Sequence, residues 1–348
     1  MKPFEDLTRL GRIRRMRDVA GAALSAYGLR KSRIEFIRQA GNTLFRVVEE
    51  IPARGEASGD LFVPGRYLLR VHDPGSQPPE GVELVLEWMA AMRREAGLPV
   101  QEPVRTRDGG LLATADAAGG PGRRKCSLLR WLRGRHLREG VRPRHLRAQG
   151  RLMAGLHAFS AGFTPPPGFT KRRYDWDGLF KDDDGVGVPA SEAWNMLPPA
   201  SAEPFRAVAA ETRRVMDEWG EHPEVYGLIH GDLGVDANVL FHRGEARAID
   251  FDDARFGYHV YDLAVALEHC FDDPEYPSFR EALLEGYMEV RDLPDEQSDR
   301  LELFLSAFHV YWSLWAAAMA HVHPEHRARL GGRMERYARR VRRFLSAS

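Results

Sequence analysis

The chain has 348 residues, 43% of them hydrophobic, which is enough for two packed lobes. Its 50 Lys and Arg face 50 Asp and Glu, and the two signs are interleaved, so the long-range positive field of a nucleic-acid or anionic-membrane binder is missing. Cys126 and Cys270 are the only cysteines and lie far apart in sequence, which excludes a disulfide framework or a cysteine zinc site and fits a reducing, cytoplasmic setting.

The first 29 residues are amphipathic, with Glu5, Asp6 and Asp18 among the arginines. They read as a helix and not as a signal peptide, because no continuous apolar core precedes a small-residue cleavage site. Three β-like runs follow, at residues 32–39, 43–50 and 66–72, separated by turn residues as in an antiparallel meander. A helical pattern over 82–95 places Leu84, Leu86, Trp88, Met89 and Met92 at apolar positions, and short strands are expected at 103–107 and 110–114. Beyond residue 125 the chain turns helical by period, notably over 142–163, 201–219, 259–271, 278–291 and 298–345. The stretch 164–199 is rich in proline, glycine and aspartate and reads as a flap or a substrate-contacting insertion. Residues 303–322 carry no Asp, Glu, Lys or Arg and are long enough to span a bilayer. Ser306, His309, Tyr311, Ser313 and His321 interrupt that run, so it is expected to be the central helix of a helical lobe.

The chemistry concentrates between Leu228 and Ala264. An apolar strand ends in His230 and Asp232, Asn238 precedes the apolar run Val239 to Phe241, and a second apolar strand ends in Asp250 after a turn at Arg243 to Glu245. Phosphoryl transfer needs such a set: a carboxylate to orient and deprotonate an acceptor hydroxyl, and hard oxygen ligands to hold magnesium on the nucleotide phosphates. Asp232 fits the base, and Asn238 and Asp250 fit the metal ligands. A hydrolytic metal site built on His230, Asp232, Asp250 and Asp252 is the competing reading of the same residues.

This window resembles the aminoglycoside phosphotransferase and choline kinase family, protein-kinase relatives whose catalytic loop reads H-G-D followed by an asparagine and then a metal-binding aspartate on the next strand. Homoserine kinases and stress-response kinases are related to that family. QAGNTLFRV resembles the family's nucleotide-covering loop, which implies roles for Gly41 and Asn42. YLLRVHDPG resembles its third strand, VLEWMAAMRREAGLPVQEPV its first-lobe helix and the strand after it, and LLRWLRGR its hinge, which implies that Leu129 and Trp131 frame the adenine. The resemblance implies an α+β, bilobal protein-kinase-like fold. Residues 1–125 would form a small lobe with an antiparallel sheet and one main helix, 126–132 a hinge, and 133–348 a larger, mainly helical lobe. It also implies ATP and Mg2+ as cofactors.

Three features depart from the family pattern. The asparagine follows Asp232 by six residues where five are usual, so the loop either absorbs one residue or Asp236 shares the ligation. No lysine occurs between Lys31 and Lys125, and Arg70 takes the place of the third-strand lysine; a guanidinium can hold phosphate oxygens bidentately. Asp250 is followed by Phe251, Asp252 and Asp253, so Asp252 is a candidate second carboxylate on the metal. Glu87, one turn from Glu83, is the expected helix partner of Arg70, and Asp262 resembles the family aspartate that braces the catalytic loop. His230 is a candidate catalytic residue whose alternative role is to shape the loop backbone.

The expected activity is transfer of the ATP γ-phosphate to the hydroxyl of a small molecule. Glu268, Asp272, Asp273 and Glu275 point to a cationic acceptor such as an amino alcohol or an aminoglycoside-like compound, while the run Asp182 to Asp184 reads first as a solvated loop and Trp312 and Trp315 as helix core, with attraction of a cationic acceptor as the alternative role of each. A protein serine/threonine kinase and a nucleotide-binding pseudoenzyme are the rival readings.

Overall fold

The computed structural model describes residues 2–29, 31–50, 59–75, 78–137, 139–165, 173–181 and 186–347. By packing the chain divides into two units. The first comprises Met1–Arg135, Thr164–Thr170 and Arg247–Asp252, and the second His136–Phe163, Lys171–Ala246 and Asp253–Ser348.

The first unit opens with α1 (Arg9–Leu24), capped by the Thr8 hydroxyl accepting from the Gly11 N–H. Strands β1 (Ser32–Ala40), β2 (Asn42–Glu49) and β3 (Phe62–Val71) form the expected meander, helix α2 (Pro79–Ala96) follows, and β4 (Leu112–Ala115) and β5 (Arg124–Leu132) complete an antiparallel sheet in the order β1-β2-β3-β5-β4. Side chains alternate across a strand. Phe45, Val47, Leu69, Val71 and Leu128 therefore pack against Met16, Val19, Ala20, Ala23 and Leu24 of α1, while Arg70, between Leu69 and Val71, is left to the other face. Proline begins α2 and left-handed Gly97 ends it, with Arg93 Nη1 donating to the free Gly97 carbonyl at 2.7 Å. Two expectations are corrected here. Residues 103–107 do not form a strand, because Pro103 lacks an N–H and makes only an isolated bridge to Leu129. Residues 126–132, expected as a hinge, are part of β5 and carry ladder bonds to β3.

The second unit is mainly helical: α3 (Pro143–Gly162), then β6 (Arg173–Tyr174), α4 (Trp176–Phe180), α5 (Ala190–Met196), α6 (Pro199–Trp219), β7 (Tyr226–Ile229), β8 (Val239–His242), β9 (Glu245–Ala248), β10 (Arg255–Tyr258), α7 (His259–Leu267), α8 (Tyr276–Met288), α9 (Asp295–Asp299), α10 (Leu301–Val322) and α11 (Arg327–Ala347). β8 and β9 pair as a ribbon, and β7 belongs to a separate sheet, β6-β10-β7. The expected loop 164–199 thus contains β6, α4 and α5, while Asp182, Asp183 and Asp184 lie outside the described residues. The single helical span expected over 298–345 breaks at Arg300 and again at His323 and Pro324, where proline withholds a helical donor. Helix α10, which carries no Asp, Glu, Lys or Arg after Glu302, is a core helix, packed against α4, α5, α6, α7 and α11 and 67% buried over its most apolar window.

Helices α3 and α8 cross in contact at two glycines. A Cβ on Gly150 would lie 2.1 Å from the Leu283 carbonyl oxygen, and one on Gly286 would lie 2.0 Å from that of Arg147. Backbone oxygens cannot yield as a flexible side chain can. Gly286→Ala is therefore expected to cost about 3 kcal/mol, seen as a Tm drop of roughly 6–12 °C in a thermal melt; a Tm within 1 °C of wild type would refute the close crossing.

Candidate active site

In the first unit the site residues gather around Arg70, a buried residue of β3. Its Nη2 donates to Asp250 Oδ1 at 2.7 Å, and its Nη1 contacts Asp252 Oδ1. Asp252 Oδ2 also accepts from Asn42 Nδ2 at 2.9 Å, and Asn42 Oδ1 accepts from the Asp73 N–H at 2.9 Å. The β1–β2 turn that presents Asn42 is made at Gly41, whose φ of +65° suits a residue without a Cβ. Asp250 itself has φ +64°, a strained setting for a side-chain-bearing residue and one that marks functional loops. The segment is fixed by its neighbours. The Ala248 N–H donates to the Pro99 carbonyl at 3.1 Å, the Asp250 N–H to Gln101 Oε1 at 3.3 Å, and Phe251 packs edge-on against Trp88.

A small pocket opens here. Asn42, Arg70, Asp252, His72 and Ser127 supply its polar wall, and Val82, Val85, Leu86 and Met89 of α2, with Leu129 and Phe251, its apolar end. His72 is buried and hydrogen-bonded to Ser127 Oγ at 2.9 Å. Burial, with the Arg70 charge added, pushes its pKa down to about 3, so it is neutral at physiological pH.

In the second unit the loop after β7 carries the H-G-D residues. Gly231 has φ +80°, and a Cβ there would lie 2.7 Å from both the Asp253 carbonyl oxygen and the Tyr174 ring. Asp262 is fully buried and braces this loop as expected: Oδ2 accepts from the His230 N–H at 3.1 Å and Oδ1 from the Gly231 N–H at 2.8 Å. Burial alone would raise its carboxyl, yet hydrogen bonding and charge from His157, at 3.1 Å, and the Gly231 N–H hold it below the usual value. His157 in turn pairs with the Tyr287 hydroxyl at 3.0 Å. Gln149 Nε2 donates to the Leu233 carbonyl at 2.6 Å, a further support of the loop. The buried His230 ring faces the loop itself, its Nδ1 accepting from the Asp232 N–H at 3.3 Å. Asn238 Nδ2 reaches back to donate to both the backbone oxygen and Oδ2 of Asp232, each at 2.8 Å. Between Asp232 and Asn238 the loop makes a tight turn in which the Gly234 carbonyl accepts from Ala237 and Asn238, and Asp236 lies 3.2 Å from His269 Nδ1.

Several expected contacts are corrected. Glu87 does not meet Arg70: its half-exposed carboxylate takes both Nη atoms of Arg105, at 3.2 and 2.8 Å, and Arg70 finds its acids after β9 instead. Glu83 is exposed. Leu129 lines the cavity, whereas Trp131 and Gly41 are not among its described lining residues. Glu268 is 3% exposed and turned inward, receiving hydrogen bonds from Tyr337 at 2.6 Å and Arg340 at 3.2 Å. Burial would raise its carboxyl, but His269, Tyr337 and Arg333 hold it far below the ordinary range. Asp272 is taken by Arg340 at 2.8 Å, and the face of Trp312 carries Arg333 at 4.5 Å. These groups are satisfied within the fold, so they give no support to a cationic acceptor. Among the described residues no group of three or more His, Cys, Asp or Glu is gathered as for a metal ion.

Gln101, Gln149 and His157 were not singled out from sequence. Gln149 and His157 carry a signal, each a polar residue on the buried face that Leu146, Leu152, Met153 and Leu156 define on α3; Gln101, in a loop, has none.

Residues 54–301 match the model of the phosphotransferase enzyme family. An uncharacterized protein of Deinococcus radiodurans is 28% identical over 83% of this chain and 78% of its own length. The homoserine kinase of Phenylobacterium zucineum is 29% identical over 73% of this chain and 76% of its own; the chain spans 60% of the length of the Sinorhizobium fredii homoserine kinase, at 30% identity. Among solved structures, a microcompartment-associated aminopropanol kinase is similar with TM-score 0.73 and 24% identity, over 94% of this chain and 97% of the other. Amicoumacin kinase in complex with AMP-PNP, Ca2+ and Ami is similar with TM-score 0.67 and 17% identity, over 88% of this chain and 87% of the other. Such likenesses carry the α+β kinase-like fold, and the family match covers more than half of the sequence. The chain is a member of the phosphotransferase enzyme family.

Proposed function

We propose that the protein transfers the γ-phosphate of ATP, with Mg2+, to the hydroxyl of a small molecule bearing an amine, such as an amino alcohol, homoserine or an aminoglycoside-like compound. The observation that carries the reading is the buried Arg70 held against Asp250 and Asp252 in a cavity with an apolar end, where a cationic group already sits between two carboxylates. In this reading the five-stranded unit holds the nucleotide and the helical unit carries the base and the acceptor. Asp232 orients the acceptor hydroxyl and takes its proton. His230 shapes the loop through the Asp232 N–H and is assigned a positioning role in place of a catalytic one. Asn238, tied to Asp232, and Asp250 are the metal ligands; their hard oxygen donors suit Mg2+, which keeps much of its shell for water and phosphates. Bound there, the metal would neutralise charge developing on the phosphates. Arg70 supplies the fixed positive charge usual for a lysine, Leu129 a wall for the base, and Gly41 with Asn42 the covering turn.

The acceptor class draws on the relatives named above, since Glu268 and Asp272 are internally paired. The test of the nucleotide part is thermal stability with ATP or GTP, each with and without magnesium. A magnesium-dependent rise in Tm is expected; no shift with either nucleotide would end the reading.

A further inference from the structure

Asp252 reads from sequence as an extra metal ligand, but its surroundings are of another kind. Its carboxylate is held at one oxygen by the buried Arg70 guanidinium and at the other by the Asn42 amide, 2.9 Å away, beside the turn expected to cover the nucleotide. A charged fork and a turn amide are the donors a phosphate oxygen takes. Arg70 Nε, also buried, has no hydrogen-bond partner among the described residues, so the carboxylates leave one of its donors unmet. The partners differ in exposure: the Arg70 side chain is 5% exposed and that of Asp252 38%, so Asp252 is the one open to solvent while Arg70 is packed in place.

We propose that Asp252 is an internal anion occupying the phosphate subsite of this cavity: it satisfies Arg70 and Asn42 in the nucleotide-free protein and must be displaced by an incoming phosphate. The inference rests on the kinase reading and deepens it. Asp250 remains on Arg70 Nη2, but without Asp252 the Nη1 side of the buried guanidinium loses its anion, which is costly, so the pairing stabilises the free state, and by the same amount it weakens nucleotide binding. Once displaced, the carboxylate lies near the phosphates and repels them, so the barrier is greatest for a nucleotide arriving without a divalent cation.

The test compares wild type, Asp252→Asn and Asp252→Ala by calorimetric titration with ADP, in EDTA and in magnesium, together with the Tm of each nucleotide-free protein. Asparagine keeps the shape and removes the charge. Both variants are expected to bind metal-free ADP about tenfold tighter than wild type and to melt at a lower temperature when free. Unchanged metal-free affinity in both variants overturns the proposal, as does a loss confined to magnesium, which would make Asp252 a metal ligand. Failure of wild type to bind ADP under either condition would instead overturn the kinase reading beneath it.

Discussion

Asp232→Asn is expected to lower kcat by roughly three orders of magnitude while the dissociation constant for Mg-nucleotide stays within about threefold of wild type. The separation follows from the role: the carboxylate acts on the acceptor proton and not on the nucleotide. The fold should tolerate the change. Asn238 donates to the Asp232 backbone oxygen as well as to Oδ2, and an asparagine at 232 still offers a side-chain carbonyl. The loop below is held independently by Asp262 and by the Gly231 turn. Turnover measured beside calorimetric affinity decides the matter. If both fall together, Asp232 is part of the nucleotide site or of the fold, and the role of base is lost.

The second large effect is expected at Asp250. Asp250→Asn should weaken magnesium-dependent nucleotide binding by about 100-fold, because a charged oxygen ligand is replaced by a neutral one. Metal-free binding should not fall. Stability is expected to move little, within about 3 °C in Tm, since asparagine tolerates the left-handed φ of +64° and Arg70 retains Asp252. Asp250→Ala lacks that tolerance and adds backbone strain of about 1 kcal/mol. Titration of both variants with and without magnesium checks this; full magnesium dependence in Asp250→Asn would remove the ligand assignment.

The parts of the molecule legible in sequence are those whose periodicity matches one dominant environment. The alternation through Leu69, Arg70 and Val71 announces a strand with one face on a core and one on a site, and the apolar rows of α2 and α10 announce helices packed on one side or all round. Where the prediction fails, a local rule met a competing one. Pro103 sits in a β-like run whose ladder it cannot join. The long helical period after residue 298 is cut by Pro324, and β6, α4 and α5 are too short for their pattern to rise above the turn residues around them.

Electrostatic partners were harder to read than elements, because pairing depends on tertiary geometry. Glu87 lies on the expected helix, yet Arg105, eighteen residues further on, reaches it, while Arg70 is satisfied from a segment 180 residues away. Glu268 and Asp272 resemble part of a solvent-facing acidic cluster until α11 brings Arg333, Tyr337 and Arg340 onto them. Asp262 was legible because its position after the catalytic strands carries a family pattern, whereas its support by His157 and Tyr287 is visible only in the packed core.

The most direct measurement is transfer of labelled γ-phosphate from ATP to a panel of amino alcohols, homoserine, aminoglycosides and sugars, with magnesium and with EDTA. The account predicts label on a small hydroxyl compound, dependent on magnesium and lost in Asp232→Asn. Binding of Mg-ATP with no label passed to any acceptor, or label passed equally well by Asp232→Asn, would contradict it.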